Sequence, residues 1–240
     1  MNPVHIKAKR GEIAEKVIIA GDPARVELLS KMLDNPKLVN KNRGILIYTG
    51  ERDGEMITVA THGVGGPYIA IVLEELIMLG AKAIVRIGTT GAMIKEMKIG
   101  ELVIPTGASY YLGGTIGQYF GRDASIVAVP DYDLLSLLVE NTRKRRVKHY
   151  IGTIITSDAF YAEDPEFVTK WTSRGAIAVE MECSTLFTLG SFRKVKTGAI
   201  LIISDNLIEA PEKYASAEEL ESYAKVAGEI VLESLHKLKV

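Results

Sequence analysis

Short runs of hydrophobic residues alternate along this chain with amphipathic stretches. Continuous apolar runs of four to eight residues predict buried strands, whereas apolar positions spaced three and four apart predict helices. The apolar runs predict strands at 17–20, 45–48, 56–60, 83–87, 102–104, 150–156, 177–179 and 197–203. The helical spacing predicts helices over about 23–33, 69–79, 131–146, 166–174, 186–189 and 217–238.

The alternation of strands and helices continues to the end of the chain without a linker rich in proline, glycine or serine, and it predicts one α/β domain over residues 1–240. The central sheet is expected to be twisted, mixed and flanked by helices, because Asp53-Gly54 is a hairpin signal within a crossover-connected pattern. Gly80 is expected to end a helix, and Pro105 is expected to end the strand that begins at Leu102.

Charge and composition narrow the class of partner. Lys and Arg total 29 against 30 Asp and Glu, a net charge of -1, which gives no basic surface for nucleic acid or an anionic membrane. The N-terminus lacks the apolar core of a signal peptide, and the apolar runs are too short to span a bilayer. Cys183 is the single cysteine, which excludes an intrachain disulfide and cysteine-cluster metal sites. We therefore expect a soluble, cytoplasmic protein with a small-molecule partner and no metal.

Two carboxylates follow the run 177–179 and flank a methionine, in the sequence Glu180-Met181-Glu182. On an extended backbone Glu180 and Glu182 point to one face and Met181 to the other. A polar grip beside an apolar surface suits a ribose. The alternative is that both glutamates are solvated at a strand end, as most glutamates are.

Three arginines lie beside glycine-containing turns. Arg25 follows Gly21-Asp22-Pro23, Arg43 precedes Gly44, and Arg86 precedes Gly88-Thr89. The carboxyl ends of strands in open α/β sheets collect ligands, and a guanidinium group matches phosphate oxygens. Each arginine has the alternative of a surface salt bridge, although Arg86 ends an apolar strand where an unpaired cation would be costly. Gly21-Asp22-Pro23 is not the Walker pattern, and Gly88-Thr89-Thr90-Gly91 is not the Rossmann glycine pattern.

Polar and aromatic residues follow two further strands. A carboxyl at the position of Asp205, after the last buried strand, is a candidate general acid if it is partly desolvated. The alternative is that Ser204-Asp205-Asn206 caps a turn. Phe160 offers an aromatic face for a ligand, with packing in the core as its alternative.

Taken in order, these motifs resemble one family over nearly the whole chain: the hexameric purine nucleoside phosphorylases, and most closely their archaeal 5′-methylthioadenosine phosphorylase branch. The resemblance is carried by Gly21-Asp22-Pro23 with Arg25, Asn42-Arg43-Gly44, Thr61-His62-Gly63, Arg86 with Gly88-Thr89-Thr90-Gly91, Phe160-Tyr161, Val179-Glu180-Met181-Glu182 and Ser204-Asp205.

The resemblance implies reversible phosphorolysis of purine nucleosides to the free base and (deoxy)ribose 1-phosphate. Adenosine, inosine, guanosine and 5′-methylthioadenosine are all candidate substrates. Inorganic phosphate is the co-substrate, and no cofactor is implied. The implied assembly is a hexamer, built as a trimer of dimers, in which His5 and Arg43 complete the active site of a neighbouring subunit.

The resemblance also implies a role for each matching residue. Phosphate is expected to bind Gly21, Arg25, Arg43, Arg86 and Thr89. The ribose is expected to contact His5, Val64, Met181 and Glu182. The base site is expected to comprise Thr90, Gly91, Phe160, Val179, Glu180, Ser204 and Asp205, with Asp205 as the catalytic acid toward purine N7.

Two positions depart from the family pattern. Bacterial members carry an arginine shortly after the catalytic aspartate, where this chain has Lys213-Tyr214-Ala215-Ser216-Ala217-Glu218. They carry a methionine at the position of Val64. The activation of Asp205 and the preference for the 5′ substituent therefore stay open.

Three alternative functions are considered. A uridine phosphorylase of the same fold would carry a glutamine and an arginine where this chain has Asp164 and Glu166. A hydrolytic nucleosidase would not need the three arginines. A nucleoside-binding protein without activity would not need the acid at Asp205.

Overall fold

The computed structural model describes residues 2–162, 164–209 and 213–240. Its strands are β1 (Lys16–Ala20), β2 (Asp34–Asn40), β3 (Ile47–Arg52), β4 (Glu55–Thr61), β5 (Ala83–Ala92), β6 (Leu102–Tyr110), β7 (His149–Thr156), β8 (Ala176–Glu180) and β9 (Lys196–Asn206). Its helices are α1 (Pro23–Ser30), α2 (Gly66–Leu79), α3 (Gly114–Phe120), α4 (Tyr132–Lys144), α5 (Phe167–Thr172), α6 (Cys183–Arg193) and α7 (Ala217–Lys237). Short 3-10 turns lie at Asn42–Gly44 and Phe160–Ala162.

The strands form one mixed sheet in the order β2-β3-β4-β1-β5-β8-β7-β6-β9. β1 runs parallel to β4 and β5, whereas β3 is antiparallel to both of its neighbours. An additional parallel pairing of β5 with β9 closes the last five strands into a ring. The predicted α/β class with a mixed sheet flanked by helices is confirmed.

Apolar side chains leave both faces of the sheet, so that helices cover it on two sides. In β1, Val17 and Ile19 pack into a core with α2 and α6, whereas Ile18 packs into a second core with α1, α4 and α7. This is the period of two that extended backbone imposes. Each fully buried side chain of this kind contributes about 1.5–3 kcal/mol relative to exposure.

Local sequence signals set several helix ends. Gly80, at φ 118°, ends α2 and donates its N–H to the carbonyl oxygens of Leu76 and Ile77, as its sequence position predicted. α7 begins with a capping box in which Ser216 and Glu219 each accept a backbone N–H from the other. Among the described residues, no helix is long and apolar enough to cross a membrane.

Several predicted strand ends are wrong, most of all those of β5 and β6. Residues 88–91 continue β5 to Ala92 because β9 pairs with them along their length. β6 continues past Pro105 to Tyr110. Beyond Val103, β6 pairs with β7 and no longer with β9. Proline has no backbone N–H to donate, and the register of the β6–β7 pairing shifts between Pro105 and Gly107. The first helix is also shorter than predicted, because the chain turns after Ser30 and enters β2.

Candidate active site

A cavity of about 630 Å³ lies where β1, β4, β8 and β9 end and beside the second half of β5. All the predicted site residues except His5 and Arg43 line it: Gly21, Arg25, Val64, Arg86, Thr89, Thr90, Gly91, Phe160, Val179, Glu180, Met181, Glu182, Ser204 and Asp205. Residues from distant parts of the sequence therefore meet at one edge of the sheet, which is where ligands of α/β folds bind.

Arg86 is buried and forms ion pairs with two carboxylates. Its Nη2 lies 2.5 Å from Glu182 Oε2 and 3.3 Å from Glu180 Oε2. Burial acts to lower the pKa of Arg86, but the charges of Glu182 and Glu180 outweigh it, and the pKa is raised. Both glutamates are themselves buried, so the solvated alternative does not hold. Glu180 ends β8 and Glu182 precedes α6, so the turn between them, rather than strand alternation, brings both to Arg86.

The two carboxylates have different further partners. Glu180 accepts hydrogen bonds from the N–H groups of Glu182 and Cys183 and from the Thr156 hydroxyl, so it holds the start of α6. Glu182 accepts from the N–H of Gly65 at 2.6 Å and lines the cavity. Burial raises the pKa of Glu182, with Glu180 adding to the effect and Arg86 opposing it. Both carboxylates line the cavity, and Glu182 accepts fewer backbone and hydroxyl hydrogen bonds than Glu180.

Arg25 brings a second guanidinium to the same cavity. Its helix begins at Pro23, where the Asp22 carboxylate caps the N–H of Ala24 at 2.9 Å. Burial and the charge of Arg86 both lower the pKa of Arg25. Among the described residues, Arg25 forms no ion pair with a carboxylate. The alternative of a surface salt bridge therefore does not hold for Arg25. A desolvated cation without a carboxylate partner favours a bound anion.

The turn after β1 needs a glycine. A Cβ at Gly21 would lie 2.8 Å from the carbonyl oxygen of Gly63, so a larger residue would separate two cavity-lining loops. The start of α1 lines the same cavity as Arg25 and Arg86, and N–H groups at the start of a helix attract anions. Thr89 lines the cavity from β5 with a half-buried side chain.

Asp205 is buried and does not cap the turn that follows it. Asn206 performs that role, because its Oδ1 accepts from the N–H groups of Ile208 and Glu209. Asp205 Oδ1 accepts from the Ser204 hydroxyl at 2.6 Å. Burial raises the pKa of Asp205, although the Ser204 hydrogen bond acts in the opposite direction. Protonation of this carboxyl is therefore made easier, as a general acid requires.

β5 passes directly beside Asp205, because Gly91 is paired with Asp205 in the sheet. A Cβ at Gly91 would lie 2.9 Å from Asp205 Oδ2, so glycine leaves room beside the acid. The Thr90 hydroxyl donates to the carbonyl of Val179 at 2.6 Å and joins β5 to β8. Phe160 is 48% exposed at the cavity, which excludes the alternative that it packs in the core. Its ring lies 6.1 Å from that of Tyr214.

His5 and Arg43 do not line this cavity, and His5 contacts the residue that precedes Arg43. The His5 carbonyl accepts from Asn42 Nδ2 at 2.7 Å, and His5 Nδ1 lies 2.7 Å from a Glu75 carboxylate oxygen. Arg43 is exposed and has a φ of 55°, which is uncommon outside glycine. Both residues thus lie outside the cavity of their own chain.

Sequence reasoning missed part of the cavity wall. Leu207, Tyr214, Ala215, Ala217 and Leu220 also line it. They all follow Asp205 in the chain, and four of them are apolar residues that resemble ordinary packing residues. The fifth, Tyr214, carries a phenol, but no spacing in the sequence placed it at the cavity. The signal that did exist was the departure from the family pattern at 213–218. Within the described residues, no group of three or more His, Cys, Asp or Glu side chains is arranged to hold a metal ion.

Comparison with known proteins shows the family to which this chain belongs. The chain belongs to the Phosphorylase superfamily, whose family model matches residues 15–236. It is 36% identical to a guanosine phosphorylase of Halorubrum lacusprofundi over 222 residues, 92% of this chain and 91% of the relative. It is 37% identical to a purine nucleoside phosphorylase, DeoD-type, of an Exiguobacterium species, over 91% of this chain and 92% of the relative.

A solved structure of uridine phosphorylase from Vibrio fischeri has the same fold. The superposition has a TM-score of 0.90 and covers 99% of this chain and 98% of that one, at 28% identity. The fold and the family are therefore shared by relatives that are named for purine and for pyrimidine substrates.

Proposed function

We propose that this protein catalyses the reversible phosphorolysis of purine nucleosides to the free base and (deoxy)ribose 1-phosphate. The observation that carries the proposal is that two arginines and a buried carboxyl with a raised pKa, Asp205, line one cavity with the Glu182 carboxylate. The names of the guanosine and purine nucleoside phosphorylase relatives support the same reaction.

Each part of the cavity has a proposed role. Phosphate binds the backbone at Gly21 and the side chains of Arg25, Arg86 and Thr89. The ribose contacts Val64, Met181 and Glu182, with the two sugar hydroxyls on Glu182. The base lies among Thr90, Gly91, Phe160, Val179, Glu180 and Ser204, with N7 toward Asp205.

Three steps follow from these roles. As the glycosidic bond lengthens, positive charge develops at the sugar, and the phosphate bound on the opposite face stabilises it. Asp205 donates its proton to N7 so that the purine leaves as a neutral molecule. A phosphate oxygen then bonds to C1′. General acids of this kind contribute about 10²–10⁴-fold to the rate.

We further propose a homo-oligomer, a hexamer built as a trimer of dimers, in which His5 and Arg43 complete a neighbour's site. The support is that both residues lie outside their own cavity and that His5 is hydrogen-bonded to Asn42, the chain neighbour of Arg43. The positive φ of Arg43 is a strained conformation, of the kind that clusters at ligand sites. The reaction needs phosphate as co-substrate and no cofactor, and we place the enzyme in the cytoplasm.

Uridine phosphorolysis is the second candidate because the Vibrio fischeri structure has this fold. The purine reading is favoured by Asp205, which suits protonation of N7, a ring position that uracil lacks. Acidic residues at Asp164 and Glu166, where uridine phosphorylases carry glutamine and arginine, favour it further. A hydrolytic nucleosidase is disfavoured by the paired arginines.

The test is base release from guanosine, inosine, adenosine, 5′-methylthioadenosine and uridine, each with and without phosphate. The proposal expects phosphate-dependent release from one or more of the purine nucleosides and a lower kcat/KM for uridine. Release without phosphate would indicate a nucleosidase. Tight binding without turnover of any substrate would indicate a binding protein.

A further inference from the structure

His62 is a buried histidine beside the cavity that the proposed reaction does not use. It follows β4 directly, and its exposed fraction is 0%. Its backbone N–H donates to the carbonyl of Ala20 at 2.9 Å, which fixes it against the end of β1. A titratable side chain that is buried at this point needs a physical reason.

The imidazole ring of His62 is hydrogen-bonded to Arg86. His62 Nε2 lies 3.1 Å from Arg86 Nη1. A guanidinium group can only donate, so Nε2 accepts and the ring proton resides on Nδ1. Burial and the positive charges of Arg86 and Arg25 lower the pKa of His62 well below its usual value. The ring is therefore a neutral acceptor.

This bond completes the restraint of the Arg86 guanidinium. Its Nη2 is held by Glu180 and Glu182, and its Nε lies 3.4 Å from Glu180. The backbone of Gly88 lies against the guanidinium, since a Cβ there would be 2.4 Å from Cζ. Nη1 points to the neutral imidazole of His62, and the buried thiol of Cys183 is a further uncharged partner of the guanidinium.

At the position of His62, a neutral acceptor suits a site for an anion better than a carboxylate or an apolar side chain does. A third carboxylate at this position would surround Arg86 with negative charge and repel phosphate. An apolar side chain would leave a buried N–H of the cation unpaired, which is costly. A neutral histidine accepts from Arg86 without adding negative charge, so Arg86 keeps an ordered head and more of its positive potential. Among the described residues, the His62 Nδ1 is itself buried without a hydrogen-bond partner, which is a cost borne by the histidine and not by the cation.

His62 also borders the turn at Gly21. A Cβ at Gly21 would lie 3.4 Å from His62 Cε1. The ring thus packs beneath one proposed phosphate-binding element while it restrains another.

We propose that His62 is a positioning residue for the phosphate subsite, acting through Arg86 and the turn at Gly21. The inference rests on the proposed phosphorolysis and extends it to a residue that does not touch either substrate. It assigns to His62 an effect on phosphate affinity that is separate from the affinity for nucleoside.

The experiment compares His62→Gln, which keeps a neutral acceptor, and His62→Leu, which removes it. Thr61→Val is the matched control, because the neighbouring Thr61 hydroxyl is buried without a hydrogen-bond partner among the described residues. For each protein we would measure KM for phosphate, KM for nucleoside, kcat, and inorganic phosphate binding by calorimetry. Thermal unfolding checks that each variant is folded.

His62→Leu is expected to raise KM for phosphate and the calorimetric Kd by about tenfold or more, the loss of one hydrogen bond to a charged group. Its KM for nucleoside should stay within about threefold, and His62→Gln should restore most of the phosphate affinity. The control should match the wild type.

Unchanged phosphate affinity in a folded His62→Leu protein would overturn the inference, and so would an equal loss of affinity for both substrates. Failure of a folded His62→Gln protein to recover phosphate affinity would also overturn it. Absence of phosphate-dependent turnover in the wild-type enzyme would instead refute the proposed function, so the two failures are distinguishable.

Discussion

The guanidinium of Arg86 and the carboxylate of Glu182 form a buried ion pair with a separation of 2.5 Å at the floor of the cavity. This pair joins the part of the cavity proposed for phosphate to the part proposed for ribose. Because both groups are desolvated, their interaction is stronger than that of a surface pair, and removal of one partner leaves the other charge uncompensated.

Glu182→Gln is expected to raise KM for nucleoside by about tenfold or more, because an amide binds sugar hydroxyls less strongly than a carboxylate. The effect should be smaller for a 2′,3′-dideoxynucleoside, which lacks both hydroxyls. Steady-state kinetics on the two substrates measure the difference. Glu221→Gln, which alters an exposed ion pair with Lys225, is the control and should be neutral. An equal loss on both substrates would show that Glu182 does not bind the hydroxyls.

Asp205→Asn is expected to lower kcat for inosine by about 10²–10⁴-fold with a small change in KM, because the amide cannot donate the proton to N7. A nucleoside already methylated at N7 leaves as a neutral base without that proton. The variant should therefore retain most of its activity on 7-methylguanosine. Near-normal kcat for inosine would remove Asp205 from the role of acid.

The pH dependence of stability gives a further expectation for Asp205. Burial raises its pKa in the folded state, so the folded protein binds this proton more tightly than the unfolded chain. The contribution to the free energy of unfolding is present at acid pH and is lost as the pH rises through the folded-state pKa. Denaturant unfolding between about pH 4 and about pH 7 should therefore show Asp205→Asn gaining stability relative to the wild type. A constant difference across this range would contradict the expectation.

Arg25→Ala is expected to raise KM for phosphate by about tenfold or more, while its thermal stability stays equal to or above that of the wild type. The reason is that Arg25 is desolvated beside another cation, so it is held for binding rather than for folding. Lys31→Ala, at the exposed end of the same helix, is the control. Unchanged phosphate KM in Arg25→Ala would contradict the assignment.

The sequence predicted the central elements because their signals were local and chemical. Apolar runs mark the buried strands, and Arg86 was singled out because a cation at the end of such a run needs a partner. That partner proved to be the Glu180 and Glu182 pair, found from an independent pattern. Strand ends of an α/β sheet meet at one edge, which pointed to the arginines as candidate ligands of a phosphate, whereas the full set of cavity residues came from the resemblance to a known family.

The rest depended on tertiary context. β2 carries mostly polar, exposed residues, and α3 has two glycines among its seven residues, so neither has the expected periodicity. The continuation of β5 depends on pairing with β9, which is distant in the chain. The contact of His62 with Arg86 joins two strands that are not adjacent in the sheet, and no spacing in the sequence indicates it.

The most direct test of the central claim is the ratio of ribose 1-phosphate formed to purine released. Phosphorus NMR can follow the sugar phosphate while absorbance follows the base in the same reaction. Phosphorolysis predicts a ratio of about one, and no base release when phosphate is omitted. Free ribose in place of the sugar phosphate, or base release that is independent of phosphate, would contradict the account.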